Sequence, residues 1–239
     1  MGQSMRAIDG NLQAVRGRIA RAAQAAGRDP QSVTLLAVSK THPAALLEEA
    51  SAAGQRAFGE NYVQEALDKM DALAAAVGGE RGPALEWHLI GPLQSNKTRL
   101  VAARFDWVQS IESEKIARRL SEQRRAGMAP LNVLIQVNVS GEGSKSGVAP
   151  EEVFLLAKKI ITLPRLKLRG LMAIPEPGAG AERYRELNGL YQKLKTEFRF
   201  DTLSVGMSDD LETAIAEGST LVRVGTAIFG ARQTVRPAA

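Results

Sequence analysis

The chain has 239 residues, 44% of them hydrophobic and 24% charged, and 31 Lys and Arg against 26 Asp and Glu leave a net charge of +5. That is ample apolar material for a core in an ordinary globular balance. There is no cysteine and there are two histidines, His42 and His88, which excludes disulfides, thiolate catalysis and Cys-ligated metal and leaves no basis for a His-rich metal site.

The opening segment, MGQSMRAIDGNLQAVRGRIARAAQ, lacks the apolar core of a signal peptide, and no apolar run approaches the roughly 18 to 20 residues that span a bilayer. A cytoplasmic chain without membrane contact is therefore expected. The basic pairs Arg118-Arg119 and Arg124-Arg125 share one helix-like segment and read as a solvated face, so no nucleic-acid surface is expected. No Gly/Ser-rich or Pro-rich linker divides the chain, which predicts one domain over residues 1–239.

Residues 4–26 read as a helix closed by Gly27 before Asp29-Pro30. Residues 33–39 form an apolar run suited to a strand buried on both faces. PAALLEEASAAG opens on Pro43 and closes on Gly54 as a helix, and Arg56 to Gly59 is a short strand. YVQEALDKMDALAAAV is amphipathic, with Val63, Ala66, Leu67 and Met70 on one stripe. GGERGPA reads as a loop. EWHLIGP is a strand and turn, NKTRLVAA a short helix, and FDWVQSI a strand. SEKIARRLSEQRRAG is a helix with Ser113 at its N-cap, NVLIQVNV a strand and SGEGSKSGV a loop. PEEVFLLAKKI, LRGLMAI, AERYRELNGLYQKLKTEF, TLSVGM, DDLETAIAEG and TLVRVG then alternate helix and strand, and TAIFGARQ gives a final helical turn.

Eight strands, each followed by a helix, after one leading helix predict parallel βαβ units. In about 240 residues they fit a single (β/α)8 TIM barrel with an extra N-terminal helix. The rival, an open doubly wound sheet, lacks its glycine-rich fingerprint after the first strand.

Barrel chemistry sits at the C-terminal ends of the strands. Read in order, those ends offer Lys40, Glu60-Asn61, His88 to Gly91, Ser110, Asn138 to Ser140, Met172 to Ile174, Gly206-Met207-Ser208 and Arg223 to Thr226. They contain no carboxylate set for a metal and no Ser/His/Asp order for acyl transfer. A partly desolvated lysine at a barrel mouth can attack a carbonyl to form a Schiff base. Its alternative is a packed stem with a hydrated ammonium. The loops after the seventh and eighth strands are where barrels often hold phosphate. Glycine lets the backbone come close, N–H groups at a helix start point at the anion, and Ser208 and Thr226 add hydroxyls. Those glycines could equally only turn the chain, and Asp209 and Asp210 only complement a helix dipole. Schiff-base lysine and phosphate cradle together suggest an aldehyde that carries a phosphate, of which pyridoxal 5′-phosphate (PLP) is the common case. Arg223, inside the apolar run LVRVG, needs a partner, either this ligand or a carboxylate within the barrel.

AVSK at 37–40, FGENYVQEA at 58–66, WHLIGPLQSNK at 87–97, VNVSGEGSKSG at 137–147, GLMAIP at 170–175 and the block 204–230 follow one another along nearly the whole chain. In these motifs the chain resembles the pyridoxal phosphate homeostasis protein family, which shares the barrel of bacterial alanine racemases. The resemblance implies PLP held as an internal aldimine on Lys40, phosphate on Ser208, Gly225 and Thr226, Arg223 near the pyridine nitrogen, Asn61 and Met207 along the ring, and His88 and Asn138 as outer members of the mouth. It also leans to a monomer; PLP-requiring apoenzymes would be the recipients of any delivery, and the sequence does not name them.

Arginine cannot take a proton from the pyridine nitrogen as a carboxylate shares one, so the ring it faces is a weaker electron sink. Racemases add a β domain for which the chain has no room after its eighth strand. The expectation is a binding and supply protein with no catalytic residues and little turnover. The alternatives are a low-activity amino-acid racemase with Tyr62 or His88 as acid/base, and a cofactor-free Schiff-base aldolase. Lys145 in the 140–147 loop is either a flap residue or solvated.

Overall fold

The computed structural model describes residues 2–76, 84–140 and 146–231. The loop readings at 78–83 and 141–145, with Lys145, and the tail from 232 lie outside them.

Helix α1 (Gly2–Ala25) buries Ile8, Leu12, Val15, Ile19 and Ala23, one stripe at three- and four-residue spacing. An unanticipated 3₁₀ turn, Pro30–Ser32, joins it to the first strand, with the Asp29 side chain accepting from the Gln31 amide. The strands are β1 (Thr34–Val38), β2 (Ala57–Glu60), β3 (Glu86–Leu89), β4 (Trp107–Ile111), β5 (Leu131–Gln136), β6 (Leu166–Met172), β7 (Thr202–Ser204) and β8 (Leu221–Val224). All pair in parallel and in chain order, and β8 closes on β1. Between and after them lie α2 (Ala44–Ala52), α3 (Val63–Ala76), α4 (Thr98–Arg104), α5 (Glu114–Gln123), α6 (Val153–Ile160), α7 (Ala181–Phe198), α8 (Leu211–Ala216) and α9 (Thr226–Phe229).

This is the expected (β/α)8 barrel with its leading helix; each strand starts within two residues of its predicted place, while β5 and β7 end three residues earlier than predicted. Pro43 stands just ahead of α2 in extended conformation, and Pro150–Glu152 form a 3₁₀ turn before α6. Alternation along the strands separates two cores. Ala37, Phe58, Leu89, Val222 and Val224 face the helices in the main apolar cluster. Leu36, Val38, Ala57, Ile90 and Leu221 form a small cluster on the other face, inside the barrel. α1 lies across α2, α8 and α9, and Asn11 Nδ2 donates to Ile228 O at 2.9 Å. The extra helix thereby braces the segments that follow β7 and β8.

Candidate functional site

Lys40 follows β1 where the chain bends sharply. The Ser39 amide still donates to Gly59 O at 3.0 Å, and Thr41 takes φ +65°. A threonine there is strained by about 1–3 kcal/mol and needs outside support. That support comes from three ionisable side chains. Lys69 Nζ donates to Ser39 O at 2.7 Å, to Glu60 Oε1 at 2.7 Å and to Glu65 Oε1 at 2.6 Å. Ser39 Oγ donates to the same Glu60 oxygen at 2.6 Å, and the Thr41 amide donates to Glu65 Oε1 at 2.5 Å. The residues on either side of Lys40 are thus tied to one ion cluster between β2 and α3. Glu60 is fully buried, and burial pushes its carboxyl above the usual range against the pull of Lys69.

Across the mouth, Gly206 has φ +99°, and a Cβ there would come within 2.5 Å of Ala214 Cβ. Only glycine fits both conditions. The Met207 amide donates to Asp210 Oδ1, and Asp210 Oδ2 accepts from the Tyr184 hydroxyl at 2.5 Å. Burial first, then Asp210, pushes the Tyr184 phenol far above its ordinary value. Arg18 of α1 donates to Ser208 O at 2.9 Å while gripping Glu212 at 2.7 and 2.8 Å. Gly225 packs so that an added Cβ would stand 3.0 Å from Val38 O, which brings the segment after β8 close to β1.

Arg223 points into the barrel and is 4% exposed. Its Nη1 donates to Ser204 O and Ser204 Oγ, both at 2.7 Å, and its Nη2 to Ala173 O at 2.8 Å. These partners are carbonyls and a hydroxyl, in place of the carboxylate that the sequence left open. Burial pushes the guanidinium down to about 10, still charged near neutral pH.

Lys40, Asn61, Met207, Ser208, Arg223, Gly225 and Thr226 line one cavity of about 210 Å³. Grooves of about 360 and 340 Å³ on the helical exterior and 380 Å³ near the strand starts are larger, but none joins a lysine to hydroxyls and glycines at the strand ends. Asn61 Oδ1 is buried with no hydrogen-bond partner among the described residues. A buried orphan acceptor beside a cavity calls for a ligand donor or water. Among the described residues no His, Cys, Asp and Glu group suits a metal ion.

The alanine racemase N-terminal domain model matches residues 10–233. A pyridoxal phosphate homeostasis protein of Pseudomonas aeruginosa is 57% identical over 98% of this chain and 100% of its own. The chain belongs to the pyridoxal phosphate homeostasis protein family. The Escherichia coli K12 family member is 55% identical over 95% of this chain and 98% of its own. The structure of PipY from Synechococcus elongatus with PLP bound superposes with a TM-score of 0.78 at 37% identity, covering 93% of this chain and 100% of that one. The alanine racemase of Clostridium difficile shares the fold, with a TM-score of 0.71 at 12% identity over 98% of this chain and 58% of that one.

Of the two residues that the homeostasis-family resemblance made outer members of the mouth, one lies inside the barrel and the other, just past the end of β5, does not line the cavity. His88 is completely buried inside the barrel, stacked on Trp107 at 5.0 Å, and Ile90, two residues on, lines the cavity instead. The Asn138 amide donates to Val148 O, and the residue is not among those that line the cavity. Sequence reasoning also passed over His42 and Val38, which do line it, named Ile174 at a strand end without giving it a role, and gave Asp209 only a helix-dipole role. Their signal was the same one, proximity to a strand end.

Proposed function

We propose that this chain binds PLP reversibly at Lys40 and serves its intracellular balance, as a cytoplasmic monomer with little or no turnover. The carrying observation is that Lys40 shares one cavity with Ser208, Gly225, Thr226 and the buried Arg223. The residues fit the group: hydroxyls and helix-start N–H groups for a phosphate, a fixed cation for the ring, and the orphan Asn61 oxygen for a donor. When bound, PLP supplies an aldehyde that condenses with an amine, losing water. Asn61 and Met207 flank the space between lysine and phosphate groups. The homeostasis name of relatives at 55–57% identity and the PLP held by PipY support this reading.

Low turnover is supported by the kind of residue present. Arg223 keeps its proton and donates to a ring nitrogen without protonating it, which weakens the electron sink. His88 and Tyr62, the acid/base candidates, do not line the cavity.

The purified chain mixed with PLP should develop a long-wavelength absorbance band that borohydride fixes on Lys40. An unchanged band in Lys40→Ala would remove the proposal. Racemisation of alanine or serine above about 1 per second would overturn its non-enzymatic half. Delivery to PLP-requiring apoenzymes should show as their reactivation by the loaded chain faster than by spontaneous release.

A further inference from the structure

The interior of a TIM barrel is usually packed by branched apolar residues. Here a string of polar side chains crosses it. Arg223 Nη1 on β8 donates to Ser204 Oγ on β7 at 2.7 Å, and Ser204 Oγ donates to Gln109 Oε1 on β4 at 2.7 Å. Gln109 Nε2 meets His88 Nδ1 on β3 at 2.9 Å, and His88 Nε2 meets Glu86 Oε1 at 2.8 Å. His88, Gln109 and Ser204 have no exposed surface, while the Glu86 side chain is 46% exposed at the start of β3. Every group finds its partner, so the string escapes the penalty of a half-satisfied buried network.

The bonds also share one sense. Starting at arginine, which can only donate, Ser204 must accept and pass its own proton to the Gln109 oxygen. The Gln109 amide then presents N–H to His88 Nδ1, and His88 presents Nε2–H to the Glu86 carboxylate. Donor dipoles so aligned reinforce one another and turn their negative ends toward the guanidinium. Protonating His88 would set its Nδ1–H against the Gln109 N–H and force the amide to flip against Ser204. Burial holds His88 neutral, against the pull of Glu86 and Asp106.

We infer that Glu86, His88, Gln109 and Ser204 are a one-way positioning relay that fixes the orientation of the Arg223 guanidinium toward a bound PLP ring. The inference rests on the cofactor reading given above. Gln109 and Ser204 are the links that set the arginine plane. Neutral His88 sets the sense, and Glu86 anchors the far end.

Two measurements test it. In the cofactor-free, ¹⁵N-labelled chain, long-range ¹H–¹⁵N spectra at neutral pH should show His88 neutral and as the Nε2–H tautomer. In the loaded chain, Ser204→Ala and Gln109→Leu should each weaken PLP binding roughly tenfold, about 1.4 kcal/mol, and shift the pH midpoint of the bound absorbance band. Ser204→Ala removes one oxygen and keeps the fold if Gln109→Leu does not. Wild-type affinity and an unshifted band in Ser204→Ala would overturn the inference, as would a protonated or Nδ1–H His88. If the wild-type chain takes up no PLP, the inference falls together with the cofactor reading. The histidine spectrum would then still show the predicted tautomer, which tells that failure apart from a missing relay.

Discussion

Replacing Lys69 with methionine probes the ion cluster that braces Lys40. Met fills most of the lysine stem's volume but leaves Glu60 without its cation in a site where that side chain has no exposure. Breaking a buried pair from one side costs about 3–5 kcal/mol, because a charge is left buried and uncompensated. For a chain of 239 residues this lowers Tm by roughly 6–20 °C, at about 2–4 °C per kcal/mol.

The pH dependence follows from Glu60. Its carboxyl is already raised above the ordinary 4.5 by burial. A raised carboxyl means that the folded state holds the proton more tightly than the unfolded one, so stability from this group falls as pH rises through that window. Without Lys69 the carboxyl rises further and the window widens upward. The deficit of Lys69→Met is therefore greatest at neutral to alkaline pH and narrows on acidification as Glu60 takes a proton. Adding Glu60→Gln should restore at least half of the loss, since no charge then remains buried. Urea unfolding of the cofactor-free chain at pH 5 and pH 8, followed by circular dichroism, reads all three quantities. A loss below about 1 kcal/mol at both pH values, the level of an exposed pair, would refute the reasoning. The same variant frees Ser39 O, so PLP uptake at Lys40 should weaken alongside stability.

Tyr184→Phe removes the hydroxyl that holds Asp210, which in turn holds the Met207 amide. Loss of that bond, about 1 kcal/mol, should weaken PLP binding roughly fivefold in a fluorescence titration; unchanged affinity would mean that Asp210 orders the loop unaided. Gly206→Ala meets both a left-handed backbone and Ala214 Cβ, and should cost roughly 2–5 kcal/mol in urea unfolding. Adding Ala214→Gly should relieve the overlap but not the backbone strain, so partial recovery is expected, and full recovery would show that φ at this position carries no penalty.

The barrel was legible because parallel strands buried on both faces read as apolar runs, as in NVLIQVNV and TLVRVG, between amphipathic helices. The seven residues around the cavity were legible for a related reason: the fold sends every strand end to one face, so chain order alone gathers Lys40, Asn61, Gly206 to Ser208 and Gly225. Depth along each strand was not legible. Glu86, His88 and Ile90 share the inward parity of β3, and the sequence cannot say which of them reaches the mouth. That depends on the stagger between strands, a property of the closed sheet. Lys69 was hidden in a similar way. It reads as polar surface on α3, and its burial follows from the docking of that helix against β2, although its spacing from Glu65 was a visible sign.

The stagger that hid the relay also aims it. Leu36 of β1 stands beside Arg223 of β8, and Ser204 of β7 beside Leu221. Slipping β8 by one residue would turn Arg223 toward the helices and send Val222 or Val224 into the barrel. The arginine would then lose Ser204 and Ala173, and the relay would end at Ser204 with no charge to orient. Gly225 would no longer fit against Val38. The register that closes the barrel is therefore the same quantity that sets a cation beneath the cavity and a bare backbone at its rim, and a strand-pairing error in this chain would abolish ligand binding before it abolished compactness.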